Sequence, residues 1–492
     1  MTGDEQPTTV GQLPTPDRER ARLPATLTRA VWLLWGASLV ALAARWWRGE
    51  GWELPGLVAV DGLTVVLWTA VTFFGGIVHS YARRYMAGSR TIDRFFGRVF
   101  AFTLVVLVLV AADSLVLFWL AWLAMGLVMA DLIGHVEGWA QARAAGALAQ
   151  RYFLASSALL GVALATLWWE TGATTVSGLA GATSSTPVLL AAGGLVVAAM
   201  VQSALVPFHT WLLSSMTAPT PASALMHAGF VNAGGILLVR FAPVVTVEPA
   251  VMLGVVLVGA ASALGGKLLK TVQTDVKGTL GCSTVGQMGF MLLQAGLGFF
   301  GAAITHLILH GFYKAYQFLA SGSRVEHTAP NGTSDDGSTG AVGVAVIALT
   351  ALAGGGLFAA LTGKGTALDS GLLLAGLVVL TVVHAAREVV RQSGVTAAVR
   401  YGAVPLVALP AIAVYAAVYG VVEGLLHGLP AVGEPAALTP VHALVAAAFF
   451  LTYLAVETGV YRRSERLYVR LLNAGQPARE TLLTDTEDYN EY

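Results

Sequence analysis

Apolar runs separated by short polar breaks follow one another along almost the whole chain. A helix needs about 20 mostly apolar residues to cross the hydrocarbon core of a bilayer. Runs of that order predict fourteen transmembrane helices, over residues 28–45, 57–80, 99–112, 114–134, 149–169, 188–213, 222–245, 250–269, 278–297, 300–322, 341–362, 370–390, 401–426 and 439–460. A membrane β-barrel would show short alternating segments instead. The expected fold is an all-α polytopic membrane protein. An even number of spans puts both termini on one side. Three polar stretches fall outside the spans: residues 1–27, a loop at 323–340, and a tail at 461–492 that is either a solvated end or a docking tail for a partner.

Charge changes the picture by giving the map a direction. Of the 28 Lys and Arg, Arg45, Arg48 and Lys364 lie on the far side. Arg240 and Lys314 lie inside spans, and all others share the side of the termini. That side is expected to be the cytoplasm, as for a multi-pass protein of the cell (inner) membrane. Composition agrees: 56% of the 492 residues are hydrophobic and 11% charged, against about a quarter charged in soluble domains. A net charge of zero gives no reason to expect nucleic acid. One cysteine, Cys282, excludes a disulfide within the chain and a cysteine metal cluster. The first residues lack the apolar core and cleavage site of a signal peptide.

Candidate chemistry lies where polar residues enter apolar runs. In HLILHGFYK, His306, His310 and Lys314 recur every fourth residue. On a helix each step drifts about 40° and rises about 6 Å, so the three form one inclined stripe. Ionised groups at mid-membrane cost several kcal/mol unless paired or hydrated. Histidine titrates near neutral pH, and burial brings lysine toward that range. The stripe therefore reads as a proton relay, with a structural polar seam as the plain alternative. In LVPFHTWLLSSMTAPTPASALMHAG, Pro207, Pro219 and Pro221 interrupt an apolar run. Interrupted helices mark ion or substrate sites in transporters, although Pro219 and Pro221 also suit an ordinary turn. His227 follows, with Asn232 beyond it, as a relay member or a packing residue. Asp275 and Lys277 stand at a helix entrance, where a solvated loop pair is the default.

These motifs resemble the antiporter-like subunits of respiratory complex I and of Mrp cation/proton antiporters. The resemblance rests on DGLTV at 61–65, ADSLVLFWLAW at 112–122, PTPASALMHA at 219–228, QTDVKGTLGCSTVGQMGF at 273–290 and HLILHGFYKAYQFLASG at 306–322. It implies two inverted five-helix repeats, each with a discontinuous helix. The repeats would fall at 99–245 and 250–390, between N-terminal helices in 28–98 and C-terminal helices in 401–460. Proton-pumping members carry a glutamate where this chain has Leu123, and a lysine where it has Gln202. Asp131 is a candidate substitute, about 80° further round its helix. His306, His310, Lys314 and Lys277 match the family pattern, and Lys364 stands near the lysine of the second broken helix.

HAGFVNAGGILLVRFAP at 227–243 and LYVRLLNAG at 467–475 resemble the DabB branch, membrane subunits of inorganic-carbon accumulation systems. The chain also ends without room for the long lateral helix of the complex I subunit. That branch implies a large soluble zinc partner, DabA-like and related to β-carbonic anhydrases, on the cytoplasmic face. A proton or sodium gradient would drive hydration of carbon dioxide in the partner, so that bicarbonate accumulates. This chain would then be an energy-coupling subunit rather than an enzyme, with no cofactor of its own. A proton-pumping or antiporter subunit and a non-conducting membrane anchor are the alternatives.

Overall fold

The computed structural model describes residues 22–324, 340–390 and 397–482. Most of the N-terminal segment, most of the 323–340 loop and the acidic end of the tail fall outside these residues.

The chain is an all-α polytopic membrane protein. Its helices are α1 (Arg22–Arg48), α2 (Gly62–Tyr85), α3 (Ile92–Ala111), α4 (Leu115–Ile133), α5 (Ala140–Thr171), α6 (Thr186–Gln202), α7 (Thr210–Ser214), α8 (Thr220–Ala228), α9 (Ala233–Arg240) and α10 (Ala242–Val245). They continue as α11 (Pro249–Lys270), α12 (Val276–Gly296), α13 (Phe300–Leu319), α14 (Ala341–Thr362), α15 (Gly371–Val390), α16 (Ala397–Leu426), α17 (Pro440–Glu457), α18 (Val460–Arg463) and α19 (Glu465–Ala474). Each predicted span falls mainly on one helix, except 188–213, which covers α6 and α7, and 222–245, which covers α8, α9 and α10. Among the described residues, 10 helical stretches are long and apolar enough to cross a membrane. The predicted fourteen also include α6 and α15, whose apolar stretches Thr186–Gln202 and Gly371–Arg387 are shorter, and α12 and α13, whose polar residues dilute their apolar character.

Boundaries differ where polar residues open a helix. α3 begins at Ile92 rather than 99 because Asp93, Arg94 and Arg98 occupy its first turns. Residues 58–60 were expected to be helical. They instead pair with Trp52–Leu54 in an antiparallel hairpin, β1 (Trp52–Leu54) and β2 (Val58–Val60). Asp61 then caps α2, its carboxylate accepting from Thr64 N at 2.8 Å.

The predicted span 188–213 is broken. α6 stops at Gln202, residues 203–209 turn through the cis Val206–Pro207 bond, and α7 resumes at Thr210. Pro219 and Pro221 do not break a helix. They lie at the N-cap and second position of α8, where a missing N–H removes no intrahelical bond. A second interruption, at Gly229–Asn232, separates α8 from α9. α14 runs unbroken to the left-handed Gly363, so Lys364 follows a helix end and does not stand within a broken span.

Glycines set the closest helix contact. A Cβ on Gly259, Gly266 or Gly289 would strike backbone of the facing helix in the α11–α12 pair, the small-residue packing by which helices associate in lipid. α8 and α9 lie at the centre, buried along almost their whole length.

The described part of the tail, to Leu482, is held against the helices. After α19, Ala474 O accepts from His209 Nε2 at 3.1 Å, Ala478 N donates to Ser214 Oγ at 3.0 Å, and Arg151 pairs with Glu480 at 3.2 Å. Leu471 packs against Leu213, Leu269 and Cys282. The tail thus covers the broken-helix turn and the end of α11.

Candidate functional site

The predicted stripe lies on the inward face of α13. Phe312, Tyr313 and Tyr316 are exposed on the other face. Lys314 is fully buried, and His310 nearly so. Gly311 permits this placement: a Cβ there would meet the Phe74 ring and Ala228 O, so only glycine lets α13 approach α2 and α8 this closely. The His306 and His310 rings lie 5.8 Å apart and nearly parallel.

Three helices are joined by one chain of hydrogen bonds. Lys314 Nζ donates to Leu280 O on α12 at 2.8 Å. Thr284 Oγ1 donates to the same carbonyl at 2.9 Å, and lies 2.9 Å from His227 Nδ1 on α8. With its one proton on Leu280 O, Thr284 can only accept from His227, so His227 carries a proton on Nδ1. The ring stacks on Phe318 at 4.2 Å. The structure therefore brings together His306, His310, Lys314 and His227, which sequence spacing alone could not join. Thr284 is the coupling residue that sequence reasoning missed; a lone threonine in an apolar run carries no signal.

Several buried polar atoms have no hydrogen-bond partner among the described residues: both nitrogens of His310, Nε2 of His306 and His227, both amide atoms of Gln202, and Asn232 Oδ1. Each such atom costs about 1–3 kcal/mol unless water meets it. His306 and His310 also line a cavity of about 580 Å³ between α11, α12, α13, α15 and α17. A row of ionisable groups bordering a cavity that also carries Lys267, Lys270, Gln287 and His384 on its wall is suited to moving protons through water.

The other predicted residues take structural places. Lys277 Nζ donates to Met216 O and Ala218 O, both at 3.2 Å, fastening the start of α12 to the turn before α8. Asp275, which is exposed, caps α12, accepting from Gly278 N at 2.7 Å. Lys364 pairs with Glu423 on α16 at 3.3 Å, beside the rings of Phe299 and Tyr419. Asp131 does not replace the family's glutamate. It is largely exposed at the end of α4 and faces Arg98 at 3.8 Å. Leu123 is half-buried on α4.

Two further sites were not anticipated. Arg240 at the end of α9 clamps Asp61, with Nη2 also donating to Thr64 Oγ1 at 2.6 Å and to Val110 O. Burial pushes the Asp61 carboxyl up, but the Arg240 charge and hydrogen bonds outweigh it and hold it below the usual carboxylate range. In the turn after α4, His135 bridges Thr91 at 3.0 Å and Arg98 at 3.2 Å. Burial, and then the Arg98 charge, push it down to about 4.

The chain is similar to known proteins. Residues 112–339 match the family described as NADH:quinone oxidoreductase/Mrp antiporter, TM, and residues 46–96 match the N-terminus of complex I chain 5. A probable inorganic carbon transporter subunit, DabB1 of Halothiobacillus neapolitanus, is 40% identical over 289 residues, 57% of this chain and 51% of that protein. DabB of Bacillus subtilis is 39% identical over 278 residues, 54% of each. NADH-quinone oxidoreductase subunit L of Mycobacterium tuberculosis is 36% identical over 287 residues, 56% of this chain and 45% of that protein. The chain thus spans about half the length of the curated relatives it matches. A chain of the Mrp complex from Dietzia sp. DQ12-45-1b shares the fold, with a TM-score of 0.54 and 22% identity over 96% of this chain and 53% of that chain.

Proposed function

Because the chain belongs to the superfamily of complex I and Mrp antiporter-like membrane subunits, we propose that it conducts protons to drive inorganic-carbon accumulation by a soluble partner. The carrying observation is the row of His306, His310 and Lys314 on α13, with Lys314 linked to His227 through Leu280 O and Thr284, and with His306 and His310 on the wall of a cavity. Its likeness to DabB subunits supports the choice of cargo. Protons descend along α13. The partner, a DabA-like zinc protein on the cytoplasmic face, hydrates carbon dioxide and releases bicarbonate there. Zinc belongs to that partner.

Gln202 and Leu123 favour one conducting path. An uncharged amide at Gln202 cannot exchange protons as a lysine does, and Leu123 offers no carboxylate. The first repeat then serves as a frame, while the second carries the ion. The similarity to complex I subunits sustains a second reading, a pump or antiporter subunit. Gentle purification separates the two: a large zinc protein co-elutes on our reading, quinone-reductase subunits on the other.

The functional test is bicarbonate accumulation in cells carrying Lys314→Ala or His310→Ala at matched expression. Either substitution lowers accumulation at least about tenfold if proton transfer along the row drives uptake. Normal accumulation in both variants rejects the proposal.

A further inference from the structure

The cavity has a second ionisable wall. Opposite His306 and His310 it is lined by Lys267 of α11 and His384 of α15. Lys267 Nζ lies 2.7 Å from His384 Nε2. An ammonium has only protons to give, so Nε2 accepts, and the ring proton sits on Nδ1. His384 Nδ1 lies 3.2 Å from Glu457 Oε1 on α17, and Glu457 Oε2 lies 3.3 Å from Arg387 Nε. The Glu457 side chain is 7% exposed. The assembly is thus a lysine–histidine–carboxylate row running from the cavity wall to the ends of α15 and α17, built from three helices. Burying such a row is expensive for packing alone, and apolar residues would fill the same space without that penalty.

We propose that Lys267, His384 and Glu457 form a second proton-transfer station, which takes protons from His306 and His310 across the hydrated cavity. Lys267 gives a proton to His384 Nε2 while His384 Nδ1 gives its own to Glu457. An N–H bond breaks at Lys267 Nζ and one forms at His384 Nε2, while an N–H bond breaks at His384 Nδ1 and an O–H bond forms on the Glu457 carboxylate. The net result is neutral lysine, neutral histidine in the other tautomer, and protonated glutamate. A proton arriving through the cavity recharges Lys267. Release from Glu457 restores the ion pair with Arg387, and His384 regains the first tautomer when water returns a proton to Nδ1 and takes one from Nε2. The path thus turns sideways from α13 toward α15 and α17. The groups facing the row are Lys270 from α11, Arg387 from α15, Tyr415 from α16 and Tyr453 from α17.

This inference rests on the conduction reading above, and one experiment separates them. The full chain is reconstituted into liposomes, a potassium diffusion potential is imposed, and internal pH is followed with a trapped dye. Glu457→Gln and His384→Ala are expected to lower proton flux at least about tenfold. Glu457→Asp, which keeps a titratable carboxyl, is expected to stay within a few-fold of the parent. Gel filtration and thermal melting confirm that each variant is folded. Parent flux that is abolished by Lys314→Ala but unchanged by Glu457→Gln overturns the station alone. Equal loss in Glu457→Asp and Glu457→Gln also overturns it, by showing a packing role. A parent flux no greater than that of empty liposomes overturns the conduction reading and the station together.

Discussion

Arg240 carries a charge into the end of a largely apolar helix and meets it with one carboxylate, one hydroxyl and one carbonyl. Because Arg240 is almost fully buried, removing it leaves Asp61 uncompensated. Arg240→Ala is expected to cost about 3–5 kcal/mol, read as a lower midpoint of thermal unfolding in detergent. Since folding holds the Asp61 carboxyl below its usual range, the pair stabilises above the unfolded-state pKa. That contribution disappears as pH falls through the folded value. Asp61 and Arg240 are each plain in the sequence, but 179 residues separate them, and nothing local announces their meeting. His306, His310 and Lys314 were legible because helical periodicity alone puts them in line. The meeting of Lys267, His384 and Glu457 across three helices was not, because each is a single polar residue near a helix end.

Glycine spacing decides which helices touch. Gly266 lies against the backbone of Gly286, whereas nothing lies within 4 Å of a Cβ built on Gly254 of the same helix. Gly266→Leu is therefore expected to abolish the monodisperse gel-filtration peak, and Gly254→Leu to leave it in place. Helix existence was readable from apolar runs, and the break at 203–209 from Pro207. Pro219 and Pro221 misled because proline's effect depends on position: it interrupts a helix interior and starts a helix without penalty. The hairpin at 52–60 was hidden because its apolar residues continue into the run that forms α2.

Across the whole molecule, the tail closes one face. Residues 474–481 bind the turn around the broken helix, and Leu471 reaches the end of α11. Ending the chain at Arg463 removes these bonds, each worth about 0.5–1.5 kcal/mol, and is expected to lower thermal stability measurably while leaving the helices formed. Melting in detergent followed by circular dichroism checks this. On the function proposed above, the first half frames a conducting second half, and a soluble enzyme docks on one face. The central claim is that a proton gradient drives carbon accumulation through this chain. It is tested most directly by following labelled bicarbonate and internal pH together, in cells expressing the chain with its partner, while a protonophore collapses the gradient. The account predicts that accumulation stops as the gradient collapses. Accumulation that continues unchanged without a gradient would contradict it.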